Sequence, residues 1–414
     1  MMSGLLTFKS AQADTYVNGT IYANTTWTNA NSPYTLTGNV IISNGVTLTI
    51  ESGVTVNFGS YTLHVNGILN AQGTGGNTTV FSGNGYSSIV FMSTSTDWSG
   101  TSGCIIDNAY FSLVSLVIED SSPLISNNVF IFESVDCIRI NSGSSPIISY
   151  NVIAGDGKYV GIYTEGTAYI SNNNITECWT GINAVGASTI QYNNIIENEN
   201  DGIRSENASS TIQNNVLANN NVGISVTGTI RDNTIANNLV AGIWGPDSSA
   251  TITRNNIYDN TQNVHLTESY DIEAVDNWWG TTDVLAINQT IWDHKNASNL
   301  GTLNFFPYLD SPNSLAPSIP PFITIPPLPT TPTPTSTPTA TPTPFVTPDP
   351  PPSVTPTPPS PTMTPSPTVG PIETPHESPD QFDISEIIGI VVVVLAILVA
   401  LIIIVFINRK YGKS

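Results

Sequence analysis

Residues 170–175 read Ile-Ser-Asn-Asn-Asn-Ile, and residues 190–195 read Ile-Gln-Tyr-Asn-Asn-Ile. The shared pattern is Ile-x-x-Asn-x-apolar, and it occurs eight times between residues 122 and 280, with alanine replacing isoleucine in the last copy. The asparagines are separated by 23, 22, 20, 22, 18, 22 and 22 positions: Asn128, Asn151, Asn173, Asn193, Asn215, Asn233, Asn255 and Asn277. Such a regular period indicates a repeat architecture.

Most copies carry a second phrase, usually Gly-Ile, as at Gly181-Ile182 and Gly202-Ile203. Short β-branched segments separated by Asn, Gly and Ser, without helical spacing, indicate strands joined by turns. Coils stacked about 4.8 Å apart would pair strand on strand and close a common core. The eight asparagines would then form a ladder, each amide bonding to the amides above and below it. The sequence therefore predicts an all-β solenoid, a β-helix.

The repeat over residues 122–280 resembles that of right-handed parallel β-helix proteins of the pectate-lyase-like and NosD-like type. The resemblance implies a right-handed coil and a role in carbohydrate binding or sugar hydrolysis. Residues 14–121 resemble the N-terminal cap and first coils of such proteins, and residues 281–310 look like a C-terminal cap. None of the sequence signatures of polygalacturonase-like members occurs in this chain. Arg139-Ile140-Asn141 resembles one of them but lacks its lysine.

The C-terminal part has a different composition. Twenty-five of the 30 prolines lie between residues 312 and 379, so residues 311–386 are predicted to be a Pro/Thr/Ser-rich stalk that buries nothing. As polyproline II helix, about 70 residues at ~3.1 Å each would span up to ~200 Å. Residues 387–407 carry no charge and are long enough for a transmembrane helix. The basic residues of the tail, residues 408–414, predict a cytoplasmic C-terminus and an extracellular N-terminal part.

Residues 1–13 are predicted to be the remnant of an export signal, because an apolar run precedes Ala11-Gln12-Ala13. Together with the stalk and the membrane span, this predicts a single-pass surface protein of a bacterium or an archaeon. Seven sequons would permit N-glycosylation in a suitable host, although chance explains many of them equally well in a chain rich in Asn and Thr. They are Asn18, Asn24, Asn77, Asn174, Asn207, Asn288 and Asn296.

The chain has 10 Lys and Arg against 31 Asp and Glu. An acidic surface disfavours nucleic acid and anionic polysaccharide as partners. Cys104, Cys137 and Cys178 lack metal or redox spacing, and we expect them to be small buried residues. The four histidines are scattered, so no metal site and no cofactor are predicted. Copper handling, the other role in the NosD-like group, is therefore the weakest of the functional alternatives.

The residues that directly follow the Gly-Ile phrases form a candidate glycan-binding column. In a stacked fold, equivalent residues of successive coils lie in line, and these alternate with inward isoleucines, so they point to solvent. Aromatic faces stack on sugars, and polar groups bond to hydroxyls. The column consists of Arg139, Tyr163, Asn183, Arg204, Ser225, Trp244 and His265. The alternative is an ordinary mixed surface strand without a ligand.

Hydrolysis of a glycosidic bond requires two carboxylates about 5 to 10 Å apart. Glu165 and Glu206 occupy the same place in coils two apart, which predicts a separation of ~10 Å, and Asp201 is a third candidate. Acidic residues at turns are usually only solvated, so these remain weak catalytic candidates. The sequence favours a binding or structural role in adhesion, an envelope layer or glycan binding. A polysaccharide hydrolase or lyase is the alternative.

Overall fold

A computed structural model of the chain describes residues 14–132, 135–207, 209–226, 228–321 and 323–329. These residues wind into a solenoid whose successive coils pair through parallel strands, which confirms the predicted all-β solenoid. The predicted signal remnant, the stalk beyond residue 329 and the predicted membrane span lie outside the described residues. In the part described, no helix has the length and apolar character needed to cross a bilayer.

The N-terminal coils contain a short 3₁₀-helix, Asn29–Asn31, and ten strands. Strand β8 has 13 residues and continues around a corner, so that it pairs with both β5 and β6. The strands are β1 (Thr15–Ile21), β2 (Thr25–Trp27), β3 (Tyr34–Ile42), β4 (Thr47–Ile50), β5 (Thr55–Gly59), β6 (Thr62–Val65), β7 (Ile68–Gln72), β8 (Thr79–Phe91), β9 (Ile105–Asp107) and β10 (Ala109–Ile118).

The repeat coils contain 21 shorter strands, three to a coil. They are β11 (Leu124–Ser126), β12 (Val129–Ile131), β13 (Ile138–Ile140), β14 (Ile147–Ser149), β15 (Val152–Ala154), β16 (Val160–Thr164), β17 (Tyr169–Ser171), β18 (Asn174–Thr176), β19 (Thr180–Ala184), β20 (Thr189–Gln191), β21 (Asn194–Ile196), β22 (Asp201–Ser205), β23 (Thr211–Gln213), β24 (Val216–Ala218), β25 (Val222–Val226), β26 (Thr229–Arg231), β27 (Thr234–Ala236), β28 (Ala241–Trp244), β29 (Thr251–Thr253), β30 (Asn256–Tyr258) and β31 (Gln262–His265).

The C-terminal end is closed by β32 (Ile272–Glu273), α1 (Val284–Gln289), β33 (Ile291–Trp292) and β34 (Leu303–Asn304). Asp283 caps α1, because its side chain accepts the Leu285 N–H at 2.9 Å. Strand β33 adds one more strand to the solenoid by pairing with β31. Buried Trp279 lies under Phe305, with ring centroids 6.2 Å apart, and covers the last coil.

Equivalent strands of the repeat coils form three stacks. The first stack comprises β11, β14, β17, β20, β23, β26 and β29, and β2, β4, β7 and β9 extend it toward the N-terminus. The second stack comprises β12, β15, β18, β21, β24, β27 and β30. The third stack comprises β13, β16, β19, β22, β25, β28, β31 and β33. Side chains alternate between the core and the surface along each strand, so every stack has an outer face.

The core changes character along the solenoid. In the N-terminal coils and the first repeat coil it contains a column of phenylalanines: the Phe81 and Phe111 rings are tilted, with centroids 4.8 Å apart, and Phe111 and Phe130 are stacked at 4.3 Å. The same column continues after Phe130 as fully buried aliphatic side chains, beginning with Ile153 and Ile175. Cys104, Cys137 and Cys178 are buried free thiols, as the sequence predicted.

The eight asparagines of the repeat stand in one buried line at the corner between the first and second stacks. From Asn151 onward, each side-chain oxygen accepts the backbone N–H and the Nδ2 of the asparagine one coil earlier. Asn215 accepts these two bonds from Asn193 at 2.9 and 3.0 Å. Its own Nδ2 donates to the Ile190 carbonyl at 2.9 Å. The amides thereby satisfy backbone groups that a buried corner would otherwise leave unpaired.

A second asparagine ladder, which the sequence analysis missed, lies at the corner between the second and third stacks. Asn220 accepts the N–H and Nδ2 of Asn198 at 3.0 and 2.9 Å. The residue before each ladder asparagine has a left-handed backbone, as in Tyr192 (φ 57°) and Glu197 (φ 59°). This conformation costs L-residues about 1–2 kcal/mol, which the ladder hydrogen bonds offset. The members are Asn198, Asn220, Asn238 and Asn260.

The described start of the predicted stalk does not extend freely from the solenoid. The sequence predicted that the chain buries nothing from residue 311 onward. Instead, Asn313 hydrogen-bonds to Asn256, and Ile319 and Ile323 pack against buried residues of the second stack. The composition predicted an extended conformation, but it gave no sign of the apolar surface on which this segment lies.

Candidate functional site

The strand register brings the seven residues of the predicted glycan-binding column into one line on the third stack. Each residue pairs with the next one, from Arg139 and Tyr163 through to Trp244 and His265. The isoleucines that precede them, such as Ile162 and Ile203, are fully buried. The column therefore forms the outer face of the third stack, over six coil steps or about 29 Å.

The C-terminal end of the column is an aromatic sandwich. The rings of Trp244 and His265 are stacked with centroids 3.9 Å apart, and Trp292 covers the other face of His265 at 5.6 Å. Burial lowers the pKa of His265, whose Nδ1 lies 2.6 Å from Gln262 Oε1. The sequence analysis missed Trp292 because helix α1 separates it from the repeat, although Ile291-Trp292 matches Ile243-Trp244.

The N-terminal end of the column is held by a charged cluster. The Arg139 guanidinium lies 4.6 Å from the centre of the Tyr163 ring, a cation–π contact. Tyr163 donates its hydroxyl to Glu165 Oε1 at 2.9 Å, and Arg139 Nη2 lies 3.6 Å from the same atom. Burial and the Glu165 carboxylate together raise the pKa of Tyr163. The tyrosine therefore stays neutral and fixed at neutral pH.

Asn183, Arg204 and Ser225 form the central section of the column, between Tyr163 and Trp244. Arg139 covers one face of the Tyr163 ring, and His265 covers one face of the Trp244 ring. The opposite faces therefore turn toward the central section, from its two ends. Asn183 Oδ1 is buried there without a hydrogen-bond partner among the described residues. The central section thus offers two ring faces to a ligand.

A groove of about 510 Å³ opens beside Arg139 and continues the column toward the N-terminus. Tyr86 and Tyr159 line it together with Val117, which pairs with Arg139 in the strand register, and with Asp136. Tyr86 is 80% exposed. The volume is in the range of small-molecule sites, and aromatic walls around a few polar groups are typical of them. The sequence analysis missed the groove because all of its lining residues except Arg139 precede the regular repeat or lie in loops.

The three catalytic candidates do not converge on one point. Glu165 and Glu206 lie two coils apart with Val185 between them, or about 10 Å by the strand spacing. Each is bound to an arginine, since Arg204 Nε lies 3.1 Å from Glu206 Oε1 and Arg139 binds Glu165. Asp201 lies at the opposite end of strand β22, five residues or about 16 Å from Glu206.

Asp201 is the one candidate with a strongly shifted pKa. Its side chain is buried, and burial raises the pKa to about 6, although the charge of Arg204 acts in the opposite direction. Asn200 Nδ2 donates a long hydrogen bond, 3.5 Å, to Asp201 Oδ2. A carboxyl group in this environment is partly protonated near neutral pH.

The basic residues of the described part are all engaged. Each of the six forms an ion pair with a carboxylate: Arg139, Lys158, Arg204, Arg231, Arg254 and Lys295. An anionic ligand would have to compete with a neighbouring carboxylate for every one of these cations. The outer face of the third stack therefore favours neutral ligands.

Within the described ranges, no three His, Cys, Asp or Glu side chains lie close enough together to hold a metal ion. Burial raises the pKa of Cys104 to about 11 and that of Cys178 further, so both thiols stay protonated. Of the sequon residues, Asn174 and Asn207 are half-buried. The other five are exposed: Asn18, Asn24, Asn77, Asn288 and Asn296.

Residues 114–229 match the family model described as "Right handed beta helix region". This stretch covers the first regular coils, where strands, ladders and core columns all follow one repeat. The chain is a right-handed β-helix repeat protein. No curated protein matches this β-helix protein. A solved structure similar to it is the crystal structure of a mutant of the periplasmic alginate epimerase AlgG, at 13% identity, over 67% of this chain and 72% of that one, with a TM-score of 0.24.

Proposed function

We propose that the protein is a surface-anchored β-helix that binds a neutral polysaccharide along its third stack without cleaving it. The observation that carries the proposal is the continuity of the Tyr86–Tyr159 groove with the column that runs from Arg139 to Trp292. An extended sugar chain needs a long, shallow, rigid surface with aromatic and hydroxyl-bonding groups at intervals. Parallel strands stacked at a fixed spacing supply that surface.

The polar groups of this surface support a neutral ligand. Arg139 and Arg204 are already paired with Glu165 and Glu206. Breaking either pair to bind a carboxylated or sulfated sugar would leave a glutamate unpaired next to an anion. A hydroxyl, in contrast, can accept from the exposed guanidinium groups without separating charges.

A glycan array probed with the full chain in detergent tests the proposal. We expect binding to neutral polysaccharides, and we expect Tyr86→Ala/Tyr159→Ala and Tyr163→Ala/Trp244→Ala to weaken it at least tenfold. Tyr150→Ala/Tyr192→Ala is the matched control, because these tyrosines are 60% and 53% exposed on another corner of the solenoid. Equal binding by all three variants, or binding only to anionic glycans, would contradict the proposed site.

Polysaccharide cleavage is the second candidate function, and the raised pKa of Asp201 is the observation that favours it. A carboxyl group with a pKa near 6 can act as a general acid. The test is release of new reducing ends, or of an unsaturated product, from each glycan that binds. Product formation that disappears in Asp201→Asn would replace the binding proposal with an enzymatic one. Binding without product would leave the non-catalytic function in place.

A further inference from the structure

The segment that follows the C-terminal end of the solenoid turns back along the outer face of the second stack. We call residues 311–321 and 323–329 the strap. At its start, Asn313 donates its N–H to Asn256 Oδ1 at 2.7 Å, and Asn256 Nδ2 returns a bond to the Asn313 carbonyl at 3.1 Å. The Asn313 side chain also donates to Asp232 Oδ1 at 3.1 Å. The strap is therefore fixed at the last coils of the repeat.

Further along, strap carbonyls accept hydrogen bonds from side chains of the solenoid. Asn214 Nδ2 donates to the Leu315 carbonyl at 3.0 Å, and Thr234 Oγ1 donates to the Pro317 carbonyl at 2.5 Å. Proline lacks an N–H, so a Pro-rich segment offers a surface mainly carbonyl acceptors. The amide and hydroxyl groups of the second-stack face are the donors that such a segment requires.

The middle of the strap covers an apolar patch. Ile319 and Ile323 pack against Ile196, Val216 and Ala218, which have 1%, 0% and 0% exposure. Val216 and Ala218 flank the core residue Leu217 in strand β24, so they point outward. Their burial therefore comes from the strap and not from the core.

The far end of the strap reaches the N-terminal coils. Leu328 and Pro329 line a cavity of about 220 Å³ together with Thr55, Asn57 and Val80. Eight to nine coil steps separate Asn256 from these residues, about 40 Å at the strand spacing. The 15 residues from Asn313 to Leu328 span about 46 Å as polyproline II helix. The strap is thus an extended segment that runs along most of the solenoid, against the direction of the coils.

We propose that the strap is a releasable latch: a polyproline-type segment that docks on the second stack and detaches from it reversibly while the solenoid stays folded. None of its described residues is fully buried, and two isoleucines make its contacts with the apolar patch. Such a segment can leave without opening the core. Release would expose the patch of Ile196, Val216 and Ala218 to solvent. It would also lengthen the segment that links the solenoid to the residues after 329 by the length of the strap.

Thiol labelling of the full-length protein tests the latch, with Ala218→Cys as the reporter under the strap. The native cysteines are fully buried and provide the unreactive background. We expect the reporter to react more slowly than a free thiol but measurably faster than the native cysteines. Ile319→Asp/Ile323→Asp should raise its labelling rate at least tenfold. Ser318→Asp/Thr324→Asp adds the same charge at exposed neighbouring positions and should leave the rate unchanged.

Val216→Cys provides a second reporter in case Ala218→Cys disturbs the strap or the fold. A reporter that labels as slowly as the native cysteines in every variant would make the strap a permanent part of the fold, and the latch would be wrong. Labelling of the unmodified strap at the rate of a free thiol would show that the strap is not docked. Equal acceleration by both Asp pairs would assign the effect to charge and would also overturn the proposal.

Discussion

The N-terminal coils, residues 14–121, and the repeat coils, residues 122–280, close the same solenoid in different ways. The N-terminal coils use long strands, such as β8 with 13 residues, and fill their interior with phenylalanine rings. The repeat coils use strands of three to five residues and place a buried asparagine at their corners. The first ladder ends at Ala109, whose N–H still donates to Asn128 Oδ1 at 2.8 Å.

The two regions satisfy the backbone hydrogen-bonding groups at their corners in different ways. A long strand carries its backbone hydrogen bonds around the bend, as β8 does between β5 and β6. A short strand leaves backbone groups unpaired at the corner, so a side chain must satisfy them. The amide of asparagine has a donor and an acceptor on one short side chain and can therefore bond in both directions along the stack. We expect four changes to test this contrast.

The largest expected effect is the loss of a ladder amide. Asn215→Ala removes the acceptor of two donors on Asn193 and the donor to the Ile190 carbonyl, so we expect a loss of about 3–5 kcal/mol in the free energy of unfolding. Asn57→Ala in the N-terminal coils removes one hydrogen bond to Thr35 and should cost less than about 1 kcal/mol. Urea unfolding followed by circular dichroism measures both. Equal losses of stability in Asn215→Ala and Asn57→Ala would show that the two regions do not differ in their dependence on asparagine.

The second prediction concerns pH, because the buried carboxylates of the described residues all lie after residue 122: Asp201, Asp232 and Asp293. The pKa of Asp201 is raised from 3.8 to about 6, so the folded state holds a proton that the unfolded state has released between these values. Stability therefore falls as pH rises from about 4 to 6, by about 3 kcal/mol in total. Asp201→Asn should flatten this dependence and stabilise the protein at pH 7 by up to about the same amount.

Hydrogen exchange locates the pH effect. Amides around strand β22 should exchange faster at pH 7 than at pH 5, after correction for the intrinsic pH dependence of exchange, whereas amides of β8 and β10 should not change. Protection that changes equally in both regions would mean that the whole solenoid unfolds as one unit. A flat stability profile in the unmodified protein would contradict the burial of the Asp201 carboxyl group.

The third prediction has the opposite sign. Burial by itself raises the pKa of Asp232, but hydrogen bonds from Arg254 and Asn313 outweigh it, so the pKa lies below its ordinary value. The stabilisation is present above about pH 4 and is lost as pH falls through the lowered pKa. Asp232→Asn should cost about 2 kcal/mol at pH 7 and less under acid conditions. Unfolding by denaturant at pH 7 and pH 3 provides the comparison.

The smallest expected effect is a gain. Ala109→Asn would add one rung to the first ladder, since its Nδ2 would lie next to Asn128 Oδ1, which already accepts the Ala109 N–H. We expect about 1 kcal/mol of stabilisation in thermal unfolding. Ala109→Leu is the control for added volume at this buried position and should destabilise the protein. A loss with Ala109→Asn would show that the N-terminal coils cannot accept the corner chemistry of the repeat.

The sequence predicted most of the repeat because its strongest signal is local. The regular spacing of the asparagines from Asn128 to Asn277 marks the corners of the coils. The alternation around Ile162 and Ile203 marks which side chains face the core. The second ladder was missed because it covers four coils and because Cys178 occupies its place in the coil before. Short, interrupted columns of this kind do not stand out in a chain rich in asparagine.

The site was predicted less completely, for a different physical reason. Register brings Tyr163, Trp244 and His265 into one column, but their ring contacts depend on rotamers, which the sequence does not specify. The strap was missed because Val216 and Ala218 look like core residues in the sequence, and no local pattern shows that residues 319 and 323 cover them. Contacts between segments about a hundred positions apart leave no periodic signal.

The first asparagine ladder has a direction, and this sets how a solenoid of this kind can grow. Every rung offers two donors forward, to the oxygen of the asparagine in the next coil. A chain that stopped after any repeat coil would end with both donors facing empty solvent, ready to receive one more coil. Asn277 Nδ2 keeps the bonds to the Ile252 and Val275 carbonyls that earlier rungs also have, but where those rungs donate to the next asparagine it donates to the Ala274 carbonyl at 2.8 Å. The Nδ2 donor that would bind a further rung is thereby satisfied inside its own coil, so the first ladder ends at Asn277.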